Sequence, residues 1–263
     1  LKCADIFFFH MYVYNYNQHD DPPQFFAQYS HYKTEFSAMS EYPLHILHID
    51  PDILAVNKPS GLLTIRDGYN PLQPCLKEML ERDHRKVWVV HRLDKDTSGT
   101  ILFARSAQTH RELNQQFEKH TVQKTYFALV HGSPCWQERF VQYPLRKDGD
   151  RSHRTVVDFR NGKPAITHIS VLQKSAEHAW LGIQIRTGIT HQIRAHLSAI
   201  GLPIVGDPLY AFYVQKTKDA PQLTAQTLHL HAFSLDFDHP TSTERTHIES
   251  LLPSYFQQSL KSL

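Results

Sequence analysis

The stretch "HRLDKDTSGT", residues 91–100, is a polar segment between two apolar runs. "KVWVV" (86–90) precedes it and "ILFA" (101–104) follows it, and both runs are typical of strands. The letters "DTSG" inside it have the composition of a turn. The simplest interpretation is therefore a surface turn between two strands. The alternative is that the two strands carry Asp94 into a functional site.

The segments on either side of this stretch predict an α+β fold. Helices are predicted over 72–82, 106–120 and 189–201, with Ser106 as an N-cap and Gly201 just past the last helix. Strands are predicted over 44–49, 53–58, 122–132, 138–144, 153–159, 165–173, 179–186 and 228–237. Because this order is neither βαβ alternation nor a repeat, we expect a mixed, largely antiparallel sheet with flanking helices.

The composition is that of an ordinary globular protein. The chain has 263 residues, of which 41% are hydrophobic and 21% charged, and a net charge of +2. That charge is too small to indicate a nucleic-acid partner by itself. Cys3, Cys75 and Cys135 are far apart in sequence, so no CxxC motif exists, and their sparse number predicts a cytoplasmic protein. No run approaches the roughly 18 apolar residues of a membrane span, so we expect no membrane association.

Residues 1–43 differ from the rest of the chain. They are rich in aromatic residues, show no periodicity, and carry two basic against five acidic side chains. This balance is unlike that of an Arg-rich transit peptide. We expect residues 1–43 to be an N-terminal extension that need not be ordered, and residues 44–263 to form one catalytic domain.

A second candidate cluster, "RTGITHQIRAH", occupies residues 186–196. On a helix, Thr190 would share a face with Arg194 four residues on, and so would His191 at a spacing of three. Such a helix start could hold an anion. The cluster could equally be the solvent-exposed polar face of an amphipathic helix. In the same way, Asp94 alone could belong to a surface ion pair.

Two other features of the sequence can be explained without a functional site. The chain has 19 histidines, but no HExxH motif accompanies them, and His191 and His196 are five apart, so we expect no metal site. The stretch "YPLRKDGDRSHRTVVDFRNGK" (143–163) carries six Lys and Arg residues against three Asp residues. A hairpin of this kind could follow a phosphate backbone, or it could be a solvated tip.

Several motifs together resemble the RluA-type RNA pseudouridine synthases. They occur in that family's order between about Pro43 and Tyr255: "VNKPSGLLT" (56–64), "HRLDKDTSG" (91–99), "QKTYFALVHG" (123–132), "GKPAITHI" (162–169), "RTGITHQIRAHLSAIGLPIVGDPLYA" (186–211) and "LHLHA" (228–232). The resemblance implies the pseudouridine synthase fold and an isomerase. This reaction breaks the N1–C1′ bond of a uridine in RNA, turns the base and rejoins it through C5. The resemblance implies no metal and no cofactor.

The resemblance also implies roles for individual residues. Asp94 matches the family's essential aspartate, the proposed nucleophile or base, and Arg194 the arginine that pairs with it. Tyr126 matches an active-site tyrosine that stacks on the target uracil and whose hydroxyl can reach the C5 proton. Arg92 matches a position implicated in filling the space left by a flipped base. Further residues are implied to lie near the RNA or to shape the pocket: His91, Lys58, Thr97, Lys163, His191 and Gln192.

The chain departs from the family pattern at two places. Ile189 stands where a basic residue is usual, which removes one possible phosphate contact. Residues 1–43 are short and acidic, so we expect no S4-type RNA-binding domain. The partner is then expected to be a structured stem-loop of ribosomal or transfer RNA, read largely by its shape, and the protein to be a monomer.

Two other functions stay open from the sequence. One is an RNA-binding or chaperone protein that keeps the fold without the chemistry. The other is a glycosidic-bond hydrolase with Asp94 as nucleophile, for which Asp96 would be the nearest second carboxylate.

Overall fold

The computed structural model describes residues 44–150, 152, 154–210, 227–261 and 263. The predicted extension, residues 1–43, lies outside this part, and the division of the chain at residue 43 stays a prediction. The strands of the described residues are β1 (His45–Ile49), β2 (Ile53–Lys58), β3 (Trp88–Val89), β4 (Ser98–Ala104), β5 (Gln123–His131), β6 (Glu138–Val141), β7 (Leu145–Arg146), β8 (Val156–Val157), β9 (Thr167–Lys174), β10 (His178–Ile185), β11 (Leu230–Asp238) and β12 (Arg245–Glu249). The helices are α1 (Leu76–His84), α2 (Ala107–Glu118), α3 (Gln192–Ala199) and α4 (Ser254–Leu260). None of these helices is long and apolar enough to cross a membrane.

Ten of the strands form one mixed sheet. Its order is β1-β2-β4-β11-β5-β10-β9-β6, with β3 paired to β4 and β12 paired to β11 beside this path. Strands β4 and β11 are parallel, whereas the other pairs described in this sheet are antiparallel. The predicted α+β fold with a largely antiparallel sheet is therefore confirmed.

The stretch "HRLDKDTSGT" leads into a strand at the centre of this sheet. β4 begins at Ser98, inside the stretch, and all seven of its residues are buried. The backbone N–H of Thr97 donates to the carbonyl of Asp94 at 3.2 Å and closes a turn just before the strand. The predicted turn between two strands is therefore present, and it is attached directly to a strand whose residues are all buried.

Gly99 is required where β4 and β11 approach each other. Its φ is +115°, a backbone conformation that residues with a side chain rarely adopt. A Cβ at this position would lie 2.7 Å from the backbone nitrogen of Ala232 and nearer still to the carbonyl oxygen of Ala232. We expect Gly99→Ala to lower the free energy of unfolding by about 3 kcal/mol, since strained backbone and backbone overlap both contribute. Urea denaturation measures this loss. Gly68→Ala is the control, because a Cβ at Gly68 meets nothing within 4 Å, and equal stability of the two variants would contradict the account.

The caps of the helices were predicted more accurately than the residues at which the helices begin. Ser106 caps α2, its Oγ accepting a hydrogen bond from the N–H of Thr109 at 3.0 Å. Gly201 follows the end of α3 with φ +78°, as predicted. α3 begins only at Gln192, however, so Thr190 precedes the helix and the predicted helical pairing of Thr190 with Arg194 is wrong. Similarly, α1 begins at Leu76 rather than at residue 72.

Four elements were wrong in or missing from the prediction. One is the two-residue strand β7, which begins just after the strand predicted over 138–144. The strand predicted over 153–159 is reduced to β8, because Asp158 closes a turn by accepting the N–H groups of Arg160 and Asn161. β12 was not predicted, since Ile248 is its one buried residue and no alternation is visible. α4 was not predicted either; Phe256 is its buried anchor.

Candidate active site

A cleft of about 950 Å³ opens beside the turn that precedes β4. Its walls come from that turn, from β5, and from α3 with the loop before it. Most of the residues implied by the sequence motifs line it: His91, Arg92, Asp94, Thr97, Tyr126, His191, Gln192 and Arg194. Lys58 and Lys163 do not line it. The fold thus brings together segments that are far apart in sequence.

Asp94 lies in the cleft opposite Arg194 and His191. Its side chain is 24% exposed, and its Oδ2 lies 3.8 Å from Nη1 of Arg194 and 3.9 Å from Nε2 of His191. These distances exceed those of good hydrogen bonds. Within the described part of the chain, the carboxylate oxygens therefore face a cationic side chain without a close hydrogen bond, which leaves them accessible to a ligand.

Arg194 has a different principal partner from the expected one. Its Nε and Nη2 both donate to Asp207 at 2.8 Å, and the two side chains are 2% and 0% exposed. Asp207 also accepts the N–H groups of Leu209 and Tyr210. Arg194 is thus held rigidly by Asp207 and presents its remaining nitrogen toward Asp94. Asp207 lies in the quoted motif "GLPIVGDPLYA", but no local pattern indicates its pairing.

His191 lies between Tyr210 and Asp94. It adopts a left-handed backbone conformation, φ 55°, at the start of α3, which is strained for a residue with a side chain. Its Nδ1 lies 3.3 Å from the hydroxyl of Tyr210 and its Nε2 faces Asp94. Burial lowers the pKa of His191, and the charge of Asp94 opposes this effect. The strain and the half-buried ring together indicate a residue held in place for a site.

Tyr126 forms part of the cleft from β5. Its side chain is 8% exposed, and burial, with a smaller contribution from the charge of Asp94, raises the pKa of its phenol. The phenol therefore stays protonated at neutral pH and offers a flat ring with a hydroxyl to the cleft.

Two implied residues shape the cleft through internal hydrogen bonds. His91 accepts the N–H of Leu102 at its Nε2 and stacks on Phe117, and burial lowers its pKa to about 3, so it is a neutral ring that supports β4. Gln192 accepts the Thr187 hydroxyl and the N–H of Ile189. Its Nε2 donates to the Ile166 carbonyl and the Thr167 hydroxyl, so all its capacity is used in holding the loop before α3.

Thr97 and Arg92 present polar groups in different ways. The hydroxyl of Thr97 is buried, and no hydrogen-bond partner for it exists among the described residues. Arg92 is exposed at the rim of the cleft. Ile189, where a basic residue was expected, packs against an apolar cluster that includes Leu145 and Tyr210.

Lys58 stabilises the turn beside the cleft without lining the cleft itself. It is 0% exposed, and its Nζ donates to the carbonyls of Pro59, Leu62 and Lys95 at 2.9, 2.7 and 2.8 Å. Since Lys95 follows Asp94, this lysine fixes the turn that carries the carboxylate. Burial lowers the pKa of Lys58 to about 7, against the charges of Asp96 and Asp94. Lys163 is exposed and pairs with Leu145 through its backbone, so cleft geometry gives it no role.

Half of the basic residues in the segment 143–163 lie close to acidic residues of the same segment. Arg146 pairs with Asp158 at 2.6 Å and Arg154 with Asp150 at 2.6 Å. Lys147, 3.6 Å from Asp148, is the one residue in the described part of this segment that lines the cleft. These pairs favour the solvated-hairpin interpretation over a continuous track for a phosphate backbone.

A group of potential metal ligands lies away from the cleft. Asp50, Asp52 and His239 have ligand atoms within 4.8 Å of one another. Their oxygens already accept hydrogen bonds, Asp50 from the N–H groups of Asp52 and Ile53, and Asp52 from the hydroxyl of Thr241. The cluster therefore ties the turn after β1 to the turn after β11, and none of its members lines the cleft.

Comparison with known proteins connects this cleft to one family. Residues 52–199 match the model of the RNA pseudouridylate synthase family. The dual-specificity RNA pseudouridine synthase RluA of Salmonella typhi is 37% identical over 198 residues, covering 75% of this chain and 88% of that protein. The ribosomal large subunit pseudouridine synthase D of Xanthomonas campestris pv. campestris is 33% identical over 239 residues, covering 86% and 71%. The solved structure of human RNA pseudouridylate synthase domain containing 4 superposes with a TM-score of 0.68 at 26% identity, covering 89% of this chain and 97% of that one.

Fold, motifs and relatives agree on the class of protein, an isomerase that acts on RNA. The chain belongs to the RNA pseudouridine synthases, and its relatives place it among those of the RluA type.

Proposed function

We propose that the protein converts specific uridines of ribosomal or transfer RNA to pseudouridine, with Asp94 as the essential group. The observation that carries this proposal is the position of Asp94: a carboxylate that opens to the cleft while Arg194 and His191 face it at 3.8 and 3.9 Å. The cationic side chain of Arg194 lies opposite the carboxylate without forming a close hydrogen bond to its oxygens. An accessible carboxylate suits attack on the sugar or the base of a uridine.

Tyr126 is proposed to stack on the uracil and to take part in loss of the C5 proton. Its ring and the apolar cleft residues around it provide a flat surface for a base. The charge of Asp94 contributes to the raised pKa of the phenol, so that part of the increase disappears when Asp94 forms a bond to the substrate.

We expect Tyr126→Phe to keep RNA affinity and to lower turnover by about 10²-fold or more, as loss of a positioned proton-transfer group does. Tyr126→Leu should lower both, because it also removes the stacking surface. Single-turnover kinetics with parallel filter binding separate the two effects. Full turnover of Tyr126→Phe would show that the hydroxyl has no role.

The cleft also supports extraction of the base from its stack. A uridine in a structured RNA must leave its neighbours before Asp94 can reach it. Arg92 is exposed at the cleft rim, and we propose that it fills the space that the flipped base leaves.

The class of RNA is tested by tritium release. Ribosomal and transfer RNA transcripts containing 5-tritiated uridine are incubated separately with the protein, since isomerisation at C5 releases the label into water. Release from one transcript would identify the substrate class. The names of two relatives bear on this choice: one is named for the ribosomal large subunit and the other for a dual specificity. No release from either would refute the proposed substrates.

The structure lends less support to the other functions. Asp96, the second carboxylate considered for a hydrolase, does not line the cleft. A binding protein without chemistry would not need an accessible carboxylate opposite a buried Arg194. That the protein is a cytoplasmic monomer acting on a stem-loop stays a prediction.

A further inference from the structure

Lys124 is a second buried lysine, and it differs from Lys58. It lies on β5 two residues before Tyr126, so both side chains project from the same face of the strand. Its side chain lines the cleft, yet the residue is only 8% exposed. Whereas Lys58 donates to three carbonyls, Lys124 makes no side-chain hydrogen bond or ion pair with any residue that the structure describes.

Burying a lone cation is costly. A buried charge is normally paired or hydrogen-bonded, because removing it from water without compensation costs far more than burying a neutral group. Burial lowers the pKa of Lys124, and no neighbouring acid among the described residues opposes that effect. Its positive charge in turn helps to lower the pKa of His91. A partner for Lys124 therefore has to come from outside the described residues.

The space beside this ammonium group is kept open by a glycine. A Cβ built on Gly188 would lie 3.9 Å from Nζ of Lys124, in ordinary van der Waals contact. A side chain at residue 188 would therefore start in the space beside the charge. Gly188 also lines the cleft, in the loop that leads to His191. The opening beside Lys124 is thus part of the cleft that holds Asp94.

The RNA substrate supplies an anion of suitable size. RNA carries one negative phosphate per nucleotide, and the carboxylate of Asp94 repels those phosphates from the centre of the cleft. We propose that Lys124, beside Gly188, binds one backbone phosphate next to the target nucleotide. This inference rests on RNA as substrate but on neither class of RNA. Lys124 then positions the strand, while Asp94 and Tyr126 face the nucleoside.

The first test compares two matched substitutions, Lys124→Met and Lys58→Met. Removing an uncompensated buried cation should leave the urea midpoint of the free protein unchanged or raise it. Removing Lys58 should lower the midpoint, because three carbonyls lose their donor. A fall in the midpoint for Lys124→Met as large as that for Lys58→Met would overturn the proposal, since Lys124 would then have a structural role.

The second test measures phosphate binding without any uridine conversion. Inorganic phosphate, at constant ionic strength, should raise the melting temperature of the wild type and of Lys124→Arg more than that of Lys124→Met. Phosphate also stabilises proteins generally by exclusion from their surfaces, and Lys124→Met reports this background. Equal shifts in all three proteins would overturn the proposal. If the wild type shows the expected shift in melting temperature but converts no uridine, the proposed function is refuted and the phosphate site at Lys124 is not.

The third test uses RNA itself. The slope of log affinity against log salt concentration, from filter binding to an unmodified transcript, should become shallower by about 0.7–0.9 in Lys124→Met, the value for one lost phosphate contact. Lys174→Met, an exposed lysine outside the cleft, is the control and should keep the wild-type slope. An unchanged slope for Lys124→Met would overturn the proposal.

Discussion

Asp94→Asn is expected to lose turnover by at least about 10²–10⁴-fold, the range for a positioned catalytic group, and to remain folded. The amide is nearly the same size as the carboxylate but cannot act as a nucleophile or base at neutral pH. Among the described residues the side chain of Asp94 makes only the long contacts to Arg194 and His191, and it is 24% exposed, so the free energy of unfolding should change by less than about 1 kcal/mol. RNA affinity should hold or rise, because a negative charge leaves a cleft that binds a polyanion.

Asp96→Asn is the matched control for Asp94→Asn. It makes the same chemical change two residues away, on a side chain that does not line the cleft. Tritium release, filter binding and urea denaturation are measured on both variants. Near-normal release by Asp94→Asn, or equal losses in the two variants, would remove Asp94 from its proposed role.

Arg194→Leu is expected to lower the free energy of unfolding by about 3–5 kcal/mol, as removal of one partner from a buried ion pair does. Asp207 would be left as a carboxylate with a 0% exposed side chain, and its remaining donors among the described residues would be the N–H groups of Leu209 and Tyr210. Turnover should fall as well, since Asp94 loses the cation that faces it at 3.8 Å. Urea denaturation measures the first effect and single-turnover kinetics the second.

The double variant Arg194→Leu/Asp207→Leu separates the two effects. Removing both charges should recover much of the lost stability, because no unpaired carboxylate stays buried, but it should not recover turnover. Arg92→Leu, at the exposed rim, is the control and should change stability by less than about 0.5 kcal/mol. If Arg194→Leu were as stable as the wild type, the buried pair would not hold the site together.

Local patterns in the sequence predicted much of the fold because they depend on neighbouring residues. The cap at Ser106 and the glycine after α3 follow from chemistry within a few residues, and both were predicted correctly. β12 was missed because its burial pattern has one apolar position, Ile248, and its pairing with β11 is a tertiary contact. The requirement for Gly99 likewise depends on how near Ala232 comes, which no local pattern shows.

The sequence motifs named several residues that line the cleft, but not the contacts between them, and the roles of these residues stay a prediction. The motifs implied Asp94, Tyr126 and Arg194, and these three do line one cleft. The bidentate pairing of Arg194 with Asp207 depends on the packing of α3 against the loop that follows it. Lys124 looked like an ordinary strand residue in the sequence, since burial without a partner is a property of the folded chain.

The most direct test of the central claim is the fate of the target base. A transcript labelled with carbon-14 in its uracil rings is incubated with the protein, digested to nucleotides and separated. The account predicts that label moves from uridylate to pseudouridylate, that no free uracil forms, and that Asp94→Asn leaves all label in uridylate. Free uracil would instead show a hydrolase, and unchanged uridylate with wild-type protein bound to the transcript would show a binding protein without the chemistry.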